Sequence, residues 1–241
     1  MNGLVVAVSF LTRLPVSSHI AVRPSDIARS AAFFPVVGAA LGALCCLAAA
    51  LLKGHVPPFL VATVIVLLDV LLTGALHFDG LADTADGFGG ARSRDDVLRI
   101  MHDHSIGSFG GVALAVCVAF KVAAYAALVS QGHWISTIIM TPALGRWSTL
   151  LVTAMYQYAG SGQSVTDGIG KRALALGTVA IVVLLAFVAS IRALIAVIAV
   201  AFVTTCFGFY CRKRVGGFTG DTLGANVQLN ECAALLVALW K

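Results

Sequence analysis

The sequence predicts an all-α polytopic membrane bundle of about seven transmembrane helices, preceded by an N-terminal helix lying at the membrane interface. Three observations carry this expectation. The 241 residues are 59% hydrophobic and 11% charged, about half the charge of an ordinary soluble domain. Seven apolar stretches approach the ~20 residues that a bilayer crossing requires. The basic residues of the connections gather almost entirely on one side. Because lipid supplies the apolar surroundings, a single membrane-embedded domain over residues 1–241 suffices, without a large water-excluded core.

Residues 3–11 are apolar, have no basic residue before them, and are followed by Arg13 and Pro15. They do not make a cleaved signal peptide and are too short to span, which leaves a helix at the interface. The spans expected next are 34–52, 59–76, 108–130, 134–156, 173–190, 193–209 and 223–240. The stretch 173–209 is interrupted only by Arg192, but its length requires two helices and a tight turn. The last span is unusual because Asn226, Gln228, Asn230 and Glu231 make its first half polar.

With seven alternating spans, one face carries Arg13, Arg23, Arg29, Arg92, Arg94, Arg99, Lys171, Arg172, Arg212, Lys213 and Arg214, and the other only Lys53, Arg192 and Lys241. Eleven against three places the first face in the cytoplasm, in a cell (inner) membrane. The net charge of +5 reflects this orientation; with no long basic stripe, nucleic-acid binding is not expected. The six cysteines lie mostly in apolar runs without C-x-x-C spacing, and read as buried thiols rather than metal ligands.

Of ten aspartates, six fall between Asp79 and Asp103. Within Asp79-Gly80-Leu81-Ala82-Asp83-Thr84-Ala85-Asp86, read as continuing helically from the second span, ~100° per residue brings Asp79, Asp83 and Asp86 within about 60° on one face. Three carboxylates so close repel one another, and a divalent cation relieves the repulsion. Oxygen ligands suit Mg²⁺, or Mn²⁺, rather than zinc or copper. A solvated acidic face is the plainer alternative. Against it, Asp79 directly follows an apolar span, and the residues between the aspartates are Gly, Leu, Ala, Thr and Ala rather than a Lys/Glu mixture.

A second cluster runs from Met101 to Gly111. Asp103 could complete a metal's ligands, and His102 or His104 could bind phosphate or move a proton; equally, Ser105 or Ser108 could cap a helix whose glycines allow close packing. A third cluster, Gly216-Gly217-Phe218-Thr219-Gly220-Asp221-Thr222-Leu223-Gly224, opens the last span. A glycine-rich entry to a helix N-terminus favours phosphate, though the Walker and Rossmann spacings are absent. His77 lies about 160° around the helix from Asp79 and is expected to make a helix-packing hydrogen bond. Asp69 and Arg146, at matching depths of about 12 to 16 Å, read as a buried pair, and Lys121 as a residue snorkelling to the far interface.

The segment Thr73-Gly74-Ala75-Leu76-His77-Phe78-Asp79-Gly80-Leu81-Ala82-Asp83-Thr84-Ala85-Asp86-Gly87 resembles the signature of the cobalamin synthase family, the adenosylcobinamide-GDP ribazoletransferases. Phe10-Leu11-Thr12-Arg13-Leu14-Pro15 is similar to that family's opening, Phe34-Pro35-Val36-Val37-Gly38 to its first span, and Thr219-Gly220-Asp221-Thr222-Leu223-Gly224-Ala225 to its closing motif. Ser105 stands where members usually carry a basic residue, with His104 before it.

The resemblance implies a transferase that joins adenosylcobinamide-GDP to α-ribazole or its 5′-phosphate, releasing GMP with Mg²⁺. On that reading Asp79, Asp83 and Asp86, with Asp103, hold the metal, and Asp86 or His102 accepts the hydroxyl proton. Arg13, His104 and the Gly220-Asp221-Thr222 turn contact phosphate or nucleotide. Membrane lipid is the expected environment, and a homo-oligomer is left open. The enzyme alternative is a CDP-alcohol phosphotransferase, whose D-G-x-x-A-R pattern is broken here by Asp83 and Thr84. A transporter is the alternative from another class, opposed by charge concentrated at one face and by the lack of an internal repeat.

Overall fold

In the computed structural model, which describes residues 2–16, 23–103, 105–131, 134–160 and 169–240, every apolar run identified above is mainly helical, the run 59–76 being broken at Gly74 and Ala75. Helices α1 (Gly3–Leu11) and α2 (Pro24–Ser30) precede α3 (Phe34–Leu52), α4 (Pro58–Thr73), α5 (Leu76–Gly90) and α6 (Arg94–Met101). Then follow α7 (Ser108–Val129), α8 (Trp134–Met155), α9 (Lys171–Val188), α10 (Ile191–Val215) and α11 (Gly220–Leu239). Among the described residues, six helices are long and apolar enough to cross a membrane, or seven if the bent pair α4–α5 forms one span. The all-α, multi-pass architecture expected from the sequence is thus the one observed.

The second span and the aspartate segment do not form a continuous helix. The chain bends by 90° between α4 and α5, with Gly74 and Ala75 both left-handed at φ 64° and 62°. Gly74 suits that conformation, and a Cβ there would also collide with the Arg13 side chain. Ala75 tolerates it at some cost in backbone strain. Arg13 is further fixed by its backbone N–H, which donates to Leu72 O at 2.7 Å. The bend turns α5 away from its parent span and lays it across α11.

Close helix crossings set the rest of the frame. At the α5–α11 crossing, a Cβ on Gly80 would lie 2.6 Å from the Asp221 carbonyl oxygen and 3.1 Å from Gly224 Cα. Glycines on both partners let the backbones meet there, as small residues do in membrane bundles. Helix α3 approaches α8 in the same way: a Cβ on Gly42 would fall 2.6 Å from Ile138 O. That carbonyl is four residues before Pro142, which has no N–H to offer it.

The polar first half of α11 faces inward. Asn226, Gln228, Asn230 and Glu231 are all buried. Asn226 donates to Ser148 Oγ at 2.8 Å, and Asn230 to Asn226 O at 2.8 Å. The polarity that made this span unusual is therefore the polarity of a bundle interior.

Beside it lies a buried ion network. Arg146 contacts Asp69 at 3.5 Å and also pairs with Glu231; Lys121 contacts Asp69 at 3.3 Å and Glu231 at 2.5 Å. Gln228 accepts a further hydrogen bond from Lys121 at 2.8 Å. The Asp69–Arg146 pair was expected, but the snorkelling of Lys121 was not correct. Its side chain is 1% exposed, because three acceptors on α4 and α11 hold the ammonium inside the bundle, which sequence spacing could not show.

Candidate active site

At the end of the bundle where α3 and α11 begin and α8 finishes, a cavity of about 250 Å³ opens. Its lining combines apolar side chains, among them Phe10, Leu11, Phe34 and Ile169, with the first turns of α5 and α11, which contribute His77, Asp79, Gly80, Gly220, Asp221 and Gly224. Phe10 and Phe34 stack with ring centroids 5.8 Å apart. Thr149, Thr153 and Tyr158 supply further polar groups. The rim at Tyr158 is fixed by the segments before α11 and after α8, where Phe218 N donates to Gln157 O at 3.0 Å and Ala159 N to Phe218 O at 2.8 Å. Arg94 ties the same region to α10, donating to Val215 O at 2.8 Å and Ala159 O at 3.3 Å.

The six clustered aspartates divide by role. Asp79 is exposed on the cavity wall, Asp83 is half-buried one turn on and partnered within the protein, and Asp86 is 8% exposed. The Asp86 carboxylate accepts Gly107 N–H at 2.8 Å and Gly110 N–H at 2.9 Å, so that it caps α7 from another helix. The cap of α7 is therefore neither Ser105 nor Ser108: the N-cap position is Gly107, without a side-chain oxygen of its own.

A carboxylate held by two backbone donors contributes more than a neutral cap. Asp86→Asn, which keeps one acceptor oxygen and loses the charge, is expected to lower stability by about 1–3 kcal/mol. Thermal unfolding in detergent would show this as a lowered midpoint, whereas an unchanged midpoint would argue against the clasp.

Asp95 and Asp96 serve the N-terminus of α6. Ser93 is its N-cap, and the Ser93 hydroxyl donates to Asp96 at 2.7 Å. This bond, more than the neighbouring Arg99, holds the exposed Asp96 carboxyl below its ordinary range. Asp103 accepts the backbone N–H of Ser105 at 3.0 Å.

The closing motif is divided likewise. Thr222 is buried in a capping box with Thr219, in which Thr219 N donates to Thr222 Oγ1 at 2.7 Å. Asp221, by contrast, lines the cavity and stands close enough to Asp79 and His102 to feel their charge. Gly220 has open space around its Cα. Arg13 lies against Gly74 at the α4–α5 bend rather than in the cavity wall. His104 lies outside the described residues.

His102 ends α6 with Nδ1 2.5 Å from Leu98 O. A carbonyl only accepts, so Nδ1 carries the hydrogen in this contact and Nε2 takes no part in it. His77 makes the opposite contact, its Nδ1 lying 3.4 Å from an Arg146 nitrogen. This is the packing hydrogen bond expected of it, but His77 also lines the cavity. Sequence reasoning assigned no site role to His77, Thr149, Thr153 or Tyr158. The signal available for His77 was its place two residues before Asp79; for the others no local pattern exists.

Among the described residues no group of three or more His, Cys, Asp or Glu side chains stands in metal-holding geometry. Two carboxylates, those of Asp79 and Asp221, nevertheless line one space, with His77 beside them. Mg²⁺ commonly takes only one or two carboxylates and completes its shell with water and substrate phosphate. Two neighbouring carboxylates at a cavity mouth fit that habit.

A family model described as cobalamin-5-phosphate synthase matches residues 3–239. An adenosylcobinamide-GDP ribazoletransferase of Syntrophobacter fumaroxidans is 40% identical over 96% of this chain and 94% of its own. One of Clostridium botulinum (strain Okra / Type B1) is 33% identical over 99% and 98%. One of Thermoanaerobacter sp. is 32% identical over 98% and 96%. No solved structure matches.

Proposed function

The chain belongs to the cobalamin-5-phosphate synthase family, which makes it a transferase of cobalamin synthesis, and from that premise we propose that it joins adenosylcobinamide-GDP to α-ribazole or its 5′-phosphate. A ribose hydroxyl oxygen of the acceptor attacks the phosphorus that carries the cobinamide. The bond from that phosphorus to the bridging oxygen breaks, and GMP departs with it. The hydroxyl proton passes to a base. The observation that carries this reading is that Asp79 and Asp221, from different helices, line one cavity together with apolar side chains.

Asp79 and Asp221 would hold Mg²⁺, with Asp83 one turn behind them. When bound, the ion neutralises charge on the diphosphate and on departing GMP. The chain's own residues do the rest by position. Phe10, Phe34 and Ile169 exclude water and offer an apolar surface to an aromatic base. Of the two proposed bases, His102 is the better placed in hydrogen-bond terms, because its contact with Leu98 engages only Nδ1 whereas Asp86 is committed to two amides. The site opens at the end of the bundle that carries the basic connections, hence toward the cytoplasm.

The test is GMP release and cobalamin formation by purified protein in lipid, given both substrates. We expect stoichiometric products that depend on Mg²⁺ and disappear with EDTA. Turnover undiminished by the chelator would remove the metal from the proposal; absent turnover from folded protein would remove the substrates.

A further inference from the structure

Four formal charges buried in a membrane bundle call for a reason beyond packing. Asp69, Lys121, Arg146 and Glu231 form a neutral set, and the side chains of Lys121, Arg146 and Glu231 are each 1% exposed. Such sets are costly to desolvate, and apolar replacements of equal volume are often as stable or more so. Ionisable groups kept inside a membrane protein therefore point first to function.

The set reaches the cavity through His77, which is 5% exposed and lines its wall beside Asp79. Arg146 touches His77 with Nη2, the nitrogen that also contacts Asp69, while its Nη1 is paired to Glu231. Its Nε has no partner among the described residues, so the terminal nitrogens alone orient the guanidinium.

We infer that the buried ion network exists to hold His77 as an Nε2–H hydrogen-bond donor facing the substrate cavity, with Arg146 as the positioning residue. The argument is one of donors and acceptors. A guanidinium has five N–H groups and no acceptor, so the His77 Nδ1 that meets it accepts and carries no hydrogen. The ring proton then resides on Nε2. Asp69 and Glu231 prevent the guanidinium from turning away, and Lys121 balances their charge from the far side.

Among the described residues, the cavity wall otherwise holds two carboxylates and no lysine or arginine. A fixed donor there suits a phosphate oxygen of the substrate, which would accept its hydrogen bond as charge develops. His77 and His102 thus differ at Nδ1, where the first accepts and the second donates. This assignment rests on the reaction proposed above for the same cavity.

The test compares His77→Gln, His77→Asn and His77→Phe in the GMP-release assay, each checked for an unchanged melting midpoint. A glutamine amide reaches the place of Nε2 and an asparagine amide that of Nδ1. His77→Gln is expected to keep kcat within about tenfold, and Asn and Phe to lose about 100-fold or more, with KM nearly constant. Equal activity in Gln and Asn, or an active Phe variant, overturns the donor role.

The paired substitution Arg146→Met with Glu231→Met removes one charge of each sign. It is expected to fold and to lower kcat, with His77→Asn adding little further loss in that background. Full activity in the double variant overturns the positioning role.

Independently of turnover, ¹⁵N ring shifts of His77, assigned by difference from His77→Gln, should report the Nε2–H tautomer. The opposite tautomer overturns the inference even in active enzyme. The Nε2–H tautomer in a protein that releases no GMP would uphold the inference about His77 and sink only the proposed reaction.

Discussion

Asp79→Asn and Asp221→Asn, made singly, are each expected to slow GMP release by about 100- to 1000-fold, equivalent to roughly 3–4 kcal/mol of barrier. The two side chains face one space from different helices, brought together where Gly80 meets Gly224. If they share one ion, the second substitution finds little left to remove, and the double variant should be scarcely slower than either single one. The Mg²⁺ concentration for half-maximal rate should rise in both singles. Asp79 is exposed, so Asp79→Asn should leave the melting midpoint within a few degrees of the parent.

That pattern separates Asp79 and Asp221 from Asp86, whose replacement should be felt in stability because its partners are the amides of α7. Single-turnover rates near the parent in both Asp79→Asn and Asp221→Asn would sink the assignment, whatever the behaviour of Asp83.

Much of this was legible in the sequence because lipid constrains helices so strongly. Spans 34–52 and 134–156 correspond to α3 at Phe34–Leu52 and α8 at Trp134–Met155, since an apolar run in a bilayer has almost no alternative to a helix. The aspartate segment and the Gly220–Gly224 turn were singled out by residue type and spacing, and both meet in the cavity. What spacing could not supply was the 90° bend. Read as one helix, the sequence offered Gly80 as the only breaker, whereas the break falls at Gly74 and Ala75, six and five residues earlier.

The bend changes which groups meet. It brings Asp79 against α11, so that Asp221 rather than Asp86 faces it, and it buries His77 against Arg146. Lys121 was misplaced for a related reason. A lysine about two helical turns from a membrane surface and a lysine surrounded by Asp69, Gln228 and Glu231 look alike in sequence; only the tertiary arrangement distinguishes them.

The largest loss of stability is expected from Glu231→Gln. The glutamine keeps the volume and an acceptor oxygen but removes the charge that Lys121 and Arg146 share. Asp69 alone then faces two buried cations, and its contacts are the longer ones, at 3.3 and 3.5 Å. Breaking a buried set in this way commonly costs about 3–5 kcal/mol, because the remaining charge has neither water nor a partner.

Removing charges in pairs should behave differently. Glu231→Met with Arg146→Met leaves Lys121 and Asp69 as a pair, and is expected to lie within about 1–2 kcal/mol of the parent. Measured as denaturant-induced unfolding in bicelles, the double variant should therefore be more stable than Glu231→Gln alone. The reverse order would show that Glu231 acts through packing, and that charge balance is not what holds the centre of the bundle.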